Sequence, residues 1–126
     1  GQMYRDFTYI DDIVDAIEAC CYKTARQNNN FDYLNPNPSN SFAPYLVFNV
    51  GNDNPISLLS FIELLEKKLG STAIKKMMPI QPGDVEKTWA NIDKLNQWIN
   101  YKPKVSFEDG IGRFASWYLS NYDHLL

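Results

Sequence analysis

The sequence predicts a mixed α/β fold in which short strands pack with about four helices. Two observations lead to this prediction. Apolar residues recur at helical spacing in three segments, and short β-prone runs lie between those segments. A chain of 126 residues, 44% of them hydrophobic, has the usual size of one domain with one core. We therefore expect residues 1–126 to form a single domain.

The first part of this fold is a β-prone run at residues 5–9, followed by a helix that continues to Ala25. Asp11 and Asp12 stand where carboxylates cap the free N–H groups of a helix and interact favourably with its dipole. The pair could instead suggest a hard-metal site, but no third acidic ligand follows at a suitable spacing. The apolar spacing predicts one buried helix face. This face consists of Ile13, Ile17, Cys20, Cys21 and Thr24.

A long surface loop is predicted at residues 26–44. This segment contains six Asn and three Pro residues, a composition that disfavours both helices and strand ladders. The next run, residues 45–50, is mostly apolar and ends at a Gly-Asn-Asp-Asn-Pro turn signal, so we expect a buried strand there. A second short strand is expected at residues 73–78.

Two of the remaining helices are predicted from their end residues. Ser57 is placed to cap an amphipathic helix over residues 58–69, and Gly70 is suited to end it in a left-handed conformation. Asn91 is placed to cap a short helix that reaches about Trp98.

The last predicted helix begins at a capping box formed by Ser106 and Asp109. Gly110 and Gly112 within it formally match the dinucleotide fingerprint G-x-G-x-x-A. That motif requires a preceding strand and an acidic residue about 20 positions later, and neither is present. We therefore interpret the glycines as sites of close helix packing. The apolar stripe of this helix consists of Phe107, Ile111, Phe114 and Tyr118.

Composition argues against several classes of function. The 15 acidic and 12 basic residues give a net charge of −3, which is unfavourable for binding a nucleic-acid backbone. No apolar run approaches the roughly 18 residues that span a bilayer, and residues 1–7 lack signal-peptide features.

Cys20 and Cys21 are adjacent and form no Cys-x-x-Cys pair, which fits a reducing, cytoplasmic location. His124, the single histidine, stands in an expected frayed end and leaves little material for histidine-dependent sites.

Two places carry residues suited to binding phosphate or ribose. Arg5 can present several N–H donors to phosphate oxygens, although an ion pair with Asp6 or Asp12 explains it equally well. The turn from Gln81 to Asp84 offers an amide, a carboxylate and a glycine that permits close approach. An ordinary Pro-Gly turn explains this segment equally well. Residue chemistry alone leaves both interpretations open.

Four motifs in chain order resemble a known family. They are Arg-Asp-Phe-Thr-Tyr-Ile-Asp-Asp at residues 5–12, Phe-Asn-Val-Gly-Asn at 48–52, Pro-Ile-Gln-Pro-Gly-Asp at 79–84 and Gly-Ile-x-x-Phe-x-x-Trp-Tyr at 110–118. The series is similar to the C-terminal part of nucleotide-sugar epimerases of the extended short-chain dehydrogenase/reductase family. The nearest subgroup is the UDP-glucuronate 4-epimerases. The resemblance covers the chain apart from the Asn-rich loop.

This resemblance implies a small C-terminal domain that binds UDP-sugar and is a fragment of a larger NAD-dependent enzyme. In the family, an N-terminal Rossmann domain binds NAD, and a Tyr-x-x-x-Lys pair performs the chemistry. The sequence contains no such pair, so we expect no catalytic residue, cofactor site or metal site in the chain itself. The parent would make UDP-galacturonate for a surface polysaccharide such as capsule or lipopolysaccharide. It would move a hydride from sugar C4 to NAD and return it to the opposite face.

The expected partners follow from the same resemblance. They are the UDP-sugar substrate, the N-terminal Rossmann domain of the same protein and a second copy in a homodimer, without nucleic acid or membrane. Contacts are expected through the helices that bear Ile13 and Ile17 or Phe107 and Ile111. Alternatives are another nucleotide-sugar epimerase, a dehydratase, a decarboxylase, or a non-catalytic binding module, because fold alone does not separate them.

The resemblance also assigns candidate binding residues, one position at a time. Arg5 matches an arginine that contacts the UDP phosphates, and Phe7 matches an aromatic residue that lines the uridine pocket. Asp84 matches an acidic residue that reaches ribose or phosphate. Gln81 stands where arginine is more common, which removes a positive charge from the site. Two further residues match a turn that packs on the nucleotide, namely Pro55 and Ile56.

Overall fold

A computed structural model describes residues 1–122 and contains four helices and a two-stranded sheet in that part of the chain. The predicted mixed α/β class with about four helices is confirmed. In chain order the elements are β1 (Tyr4–Arg5), α1 (Ile10–Cys21), β2 (Ile56–Ser57), α2 (Leu58–Leu69), α3 (Asp93–Ile99) and α4 (Phe107–Tyr122). None of these helices is long and apolar enough to cross a bilayer.

The strand β1 is held on both of its edges. On one edge it is antiparallel to β2, with Arg5 opposite Ile56. On the other edge the Tyr4 amide donates to the Glu86 carbonyl at 2.8 Å, and the Thr88 amide donates to the Tyr4 carbonyl at 3.1 Å. The predicted strand at residues 5–9 is therefore wrong in extent. It ends after Arg5 because the next amide turns aside to the Thr88 hydroxyl.

The buried face of α1 matches the predicted face only in part, at Ile13 and Cys20. Ala16 is 2% exposed and packs in the core with Cys20, whereas Ile17 is 59% exposed. Cys21 is also exposed, and the helix ends there rather than at Ala25. Apolar spacing predicted a stripe that includes Ile17, but the residues that face this chain's own core are smaller, namely Ala16 and Cys20.

The two acidic residues in the first turn of α1 do not cap it with their side chains. The N-cap residue is Tyr9, and no side-chain capping bond is present. Asp12 is 2% exposed, and its carboxylate accepts from the Lys104 amide at 2.9 Å and the Val105 amide at 3.2 Å. Asp11 instead accepts from the Arg113 guanidinium of α4 at 3.1 Å. Both carboxylates thus join α1 to the segments that follow α3.

The predicted ends of α2 are confirmed. The Ser57 hydroxyl accepts from the Ser60 amide at 3.0 Å, and Gly70 ends the helix with φ +69°. The short helix α3 begins at Asp93, whose amide donates to the Asn91 side chain at 3.1 Å. This bond gives Asn91 a capping role one residue outside the N-cap position.

The predicted Ser106 cap of α4 is present, but Asp109 bonds to the Ser106 hydroxyl and not to its backbone amide as in a full capping box. The Ser106 hydroxyl accepts from the Asp109 amide at 3.1 Å and donates to the Asp109 carboxylate at 2.7 Å. Gly110 lies against Tyr9, and a Cβ at this glycine would stand 3.1 Å from the tyrosine ring. Close helix packing is therefore the correct interpretation of Gly110.

The strands predicted at residues 45–50 and 73–78 do not form. Residues 45–50 are extended, but their only bridge joins Leu46 to Asn40. A ladder needs a neighbouring strand, and the described chain places none beside this run. Residues 73–78 are drawn onto α2 instead, because the Ala73 amide donates to the Glu66 carboxylate at 2.8 Å.

The core lies between α1, α3 and the two extended runs that flank α3. It contains four buried residues, with Leu95 only 1% exposed, and Phe48 and Val50 pack against it. A separate aromatic cluster joins α2 to α4 through Phe7. Residues 26–44 contain no helix or strand. The buried core residues are Ala16, Ile92, Leu95 and Tyr101.

Candidate functional site

Arg5 lies at the end of β1 with its guanidinium beside Asp84. One Nη1 group donates to the Tyr4 carbonyl at 2.8 Å and to the Glu86 carbonyl at 3.4 Å. Its Nη2 atom is 3.9 Å from Asp84 Oδ1, and the arginine side chain is 25% exposed. The ion-pair partners considered from sequence, Asp6 and Asp12, bind backbone amides instead. The structure thus joins two of the predicted site residues.

The turn from Gln81 to Asp84 forms as a tight Pro-Gly turn. The Asp84 amide donates to the Gln81 carbonyl at 3.1 Å, and Gly83 has φ +89°. A positive φ at this position defines a type II turn, which favours glycine because it lacks a Cβ. The turn directs the Asp84 carboxylate toward Arg5, and half of the aspartate side chain remains exposed.

A groove of about 810 Å³ lies next to this turn, between α2 and residues 71–80. Gln81 and Asp84 belong to its lining, which is mostly apolar and includes Leu58 and Met77. Concave apolar surfaces with a few polar groups at one end are typical of ligand sites. The groove therefore places the two polar turn residues where they can meet a bound molecule.

The segment 73–75, which forms part of the groove wall, is fixed to α2 by Glu66. The Lys75 ammonium and the Ala73 amide both donate to its Oε1 atom, at 2.5 Å and 2.8 Å. The hydrogen bond from Lys75, and to a lesser extent that from the Ala73 amide, lowers the pKa of Glu66 below its ordinary value of 4.5. The carboxylate is thus ionised at neutral pH and holds the wall in place.

The structure brings Ile56 to the site but places Phe7 elsewhere. Ile56 is the β2 partner of Arg5, and Pro55 precedes it as a half-buried residue. The Phe7 ring stacks on Phe61 at 4.7 Å and lines a different cavity, of about 320 Å³. Five of the six predicted residues therefore lie along the β1 edges and the turn, and Phe7 lies between α2 and α4.

Asp6 is a residue that the sequence did not single out for binding. Its half-buried carboxylate accepts hydrogen bonds from four backbone amides in two distant segments. The sequence signal was the Gly51 turn, because such a turn leaves several amides in need of an acceptor. These donors are Asn52, Asp53, Asn54 and Ala90.

Metal-ligating side chains are not gathered at this site. Within residues 1–122, no three histidine, cysteine, aspartate or glutamate side chains are grouped to hold a metal ion. Cys20 and Cys21 are both free thiols. The expectation for His124 concerns a residue outside the described part of the chain. The arrangement can therefore offer hydrogen bonds and charge to a ligand through Arg5, Gln81 and Asp84.

Known proteins are similar to this chain over nearly its whole length, and they are about three times as long. No family model matches. The protein CapI of Staphylococcus aureus is 47% identical over 122 residues, which is 97% of this chain and 36% of that protein. A probable UDP-glucuronate 4-epimerase of Rhizobium meliloti is 41% identical over 123 residues, again 97% of this chain and 36% of the relative. The chain thus spans about a third of the length of the curated relatives it matches.

Solved structures give the same result. A UDP-glucuronic acid 4-epimerase from Bacillus cereus, in complex with UDP-glucuronic acid and NAD, superposes with a TM-score of 0.72 at 29% identity. The match covers 97% of this chain and 34% of that one. A UDP-glucose 4-epimerase from Bifidobacterium longum, in complex with NAD+ and UDP, has the same TM-score at 19% identity, which shows a shared fold.

Proposed function

We propose that this chain is the UDP-sugar-binding part of an epimerase of the extended short-chain dehydrogenase/reductase family. Nearly the whole chain aligns with UDP-glucuronate 4-epimerases and related proteins, and the aligned segment makes up about a third of their length. The proposed substrate is UDP-glucuronate and the product UDP-galacturonate. The name of the relative CapI supports a role in surface polysaccharide synthesis. Two free thiols support a reducing, cytoplasmic setting.

The pairing of Arg5 with Asp84 carries this proposal. Arg5 retains exposed N–H donors, because its Nη2 atom stands 3.9 Å from the aspartate, too far for a hydrogen bond. A guanidinium with such donors suits the two phosphates of UDP. The half-exposed Asp84 carboxylate can accept from the ribose hydroxyls, and the apolar groove beside it can take the flat uracil ring.

The residues of this chain do not fit a dinucleotide. Gly110 and Gly112 lie inside α4, and Gly110 packs against Tyr9. We therefore assign NAD and the proton-transferring residues to the rest of the parent protein, as a Rossmann domain that precedes this chain. Hydride transfer is the chemistry that NAD supplies there. This chain would bind the UDP group and hold the sugar at a fixed distance from that cofactor.

UDP binding by the protein that carries this chain tests the proposal. We expect Arg5→Ala to weaken UDP affinity by about tenfold or more in titration calorimetry, because a charge-assisted bond to phosphate is lost. Arg113→Ala is the matched control, since Arg113 is an exposed arginine paired with Asp11 at the α1–α4 contact. Equal UDP affinity in wild type and Arg5→Ala would contradict the phosphate role.

A further inference from the structure

We propose that Asp6 is a positioning residue of the substrate site, which sets the place of Arg5 relative to the Asp84 turn. This inference rests on the proposed function, because it names the residue that assembles the same site. It is carried by the hydrogen bonds of one carboxylate to two segments that lie more than 30 residues apart in sequence.

The Asp6 carboxylate is fully occupied by backbone donors. Its Oδ1 atom accepts from the amides of Asn52 at 3.2 Å and Asn54 at 3.4 Å. Its Oδ2 atom accepts from Asp53 at 3.2 Å and Ala90 at 3.1 Å. An ionised carboxylate has about four lone-pair sites, so every site is used. The Asp6 amide adds a fifth bond, to the Thr88 hydroxyl at 3.3 Å.

Each segment that Asp6 holds lies close in sequence to a candidate site residue. Asp6 itself follows Arg5. The amides of residues 52–54 precede Pro55 and Ile56, which form the turn and the strand beside Arg5. Residues 88–90 continue the run at 86–88 that pairs with β1, and Asp84 lies two residues before that run, at the end of the Pro-Gly turn. A shift at Asp6 would therefore move all three segments of the site relative to one another.

The local backbone leaves room for this carboxylate. A Cβ at Gly51 would stand 2.8 Å from Asp6 Oδ2 and would also collide with the Ala90 side chain. Asp53 adopts φ +54°, the left-handed region that is costly for residues other than glycine. This conformation turns the Asp53 amide toward Asp6. Gly51 thus leaves the space that the Asp6 carboxylate occupies, and Asp53 supplies one of its four donors.

Asparagine at position 6 would have the shape of aspartate without its function. Its amide oxygen can accept about two hydrogen bonds, while its NH₂ group would face two backbone donors. We expect Asp6→Asn to weaken UDP affinity of the parent protein about tenfold or more, at a temperature where circular dichroism shows the fold intact. Asp11→Asn is the matched control, because Asp11 is an exposed acid that pairs with Arg113 in the described part of the chain. The UDP affinity of this variant should stay within about twofold of wild type.

A double-mutant cycle distinguishes positioning from general support of the fold. If Asp6 acts through Arg5, Asp6→Asn should change UDP affinity little once Arg5→Ala is present. Additive losses would overturn the proposal, and so would unchanged affinity in Asp6→Asn. Failure of wild type to bind UDP would instead refute the proposed function. If Asp6→Asn does not fold, Thr88→Val is the deciding variant, because Thr88 is exposed and its hydroxyl accepts from the Asp6 amide. UDP binding about threefold weaker than in wild type supports the role of Asp6, and unchanged binding overturns it.

Discussion

Tyr101 connects the core to the site at the level of a single hydrogen bond. It is 6% exposed, and its hydroxyl donates to the Gly51 carbonyl at 3.1 Å. Burial, assisted by the negative charges of Asp12, Asp6 and Asp15, raises the pKa of Tyr101 above its ordinary value of 10.0. The folded protein thus holds this proton more tightly than the unfolded chain. The contribution of the protonated Tyr101 side chain to stability is complete below about pH 10 and is lost as pH rises through the raised pKa.

Tyr101→Phe should therefore have two effects on the free energy of unfolding. At neutral pH we expect a loss of about 1 kcal/mol, because one buried carbonyl loses its donor. As pH rises above about 10 toward the raised pKa of Tyr101, the variant should lose stability less steeply than wild type. Urea unfolding at several pH values measures both effects. Tyr22→Phe is the control, because Tyr22 is 83% exposed, and an unchanged alkaline slope in Tyr101→Phe would contradict the prediction.

At this scale the sequence predicted which residues bear useful chemistry better than where they lie. Arg5 and Asp84 are 79 positions apart, and they meet because residues 86–88 pair with β1. Phe7 was expected to line the uridine pocket, and its ring stacks on Phe61, beyond the end of β1. The role of Asp6 has no side-chain signature, because its partners are backbone amides present at almost every residue.

Elements with local stop and start signals were the predictable ones. The caps of α2 and α4 depend on residues within one turn of each helix end, so sequence contains all the required information. The strand predicted at residues 45–50 needs a distant partner, which this chain does not supply in its described part. The buried face of α1 likewise depends on what covers the helix, and its periodicity alone could not choose between two faces.

The contact between α2 and the groove wall gives a prediction at this scale. Because the pKa of Glu66 is lowered in the folded protein, its ionised carboxylate contributes to stability. This contribution is present above about pH 4.5 and is lost as pH falls through the lowered pKa. Glu66→Gln should release residues 73–75 at neutral pH, because the Lys75 ion pair is removed and the Ala73 bond is weakened. Faster hydrogen exchange at the Ala73 amide measures this release.

Glu63→Gln provides the matched comparison, since Glu63 is an exposed glutamate on the same helix. Its substitution should leave exchange at Ala73 unchanged. Wild type should come to resemble Glu66→Gln as pH falls through the lowered pKa of Glu66, after correction for the intrinsic pH dependence of exchange. Equal protection in Glu66→Gln and wild type at neutral pH would show that the wall is held by other contacts.

Over the whole molecule, several large apolar side chains of the described residues are exposed. Ile10, Val14 and Ile17 on α1 are 59%, 52% and 59% exposed and recur at helical spacing on one face. The extended run at residues 45–50 also has no strand beside it in the described chain. Because the chain spans about a third of its relatives, we expect the rest of the parent protein to cover these surfaces.

A chain studied without that cover should associate with itself. Of the two contacts predicted from sequence, the α1 face remains suitable, whereas Ile111 of α4 is only 9% exposed and already belongs to the interior. We expect the 126-residue chain to form dimers at high concentration, and Val14→Glu to weaken that dimer about tenfold or more, because each dimer loses two buried apolar side chains. Val85→Glu is the control, since Val85 is similarly exposed, at 53%, but lies away from α1. Sedimentation equilibrium measures the dissociation constants, and a monomeric wild type at millimolar concentration would contradict self-association through this face.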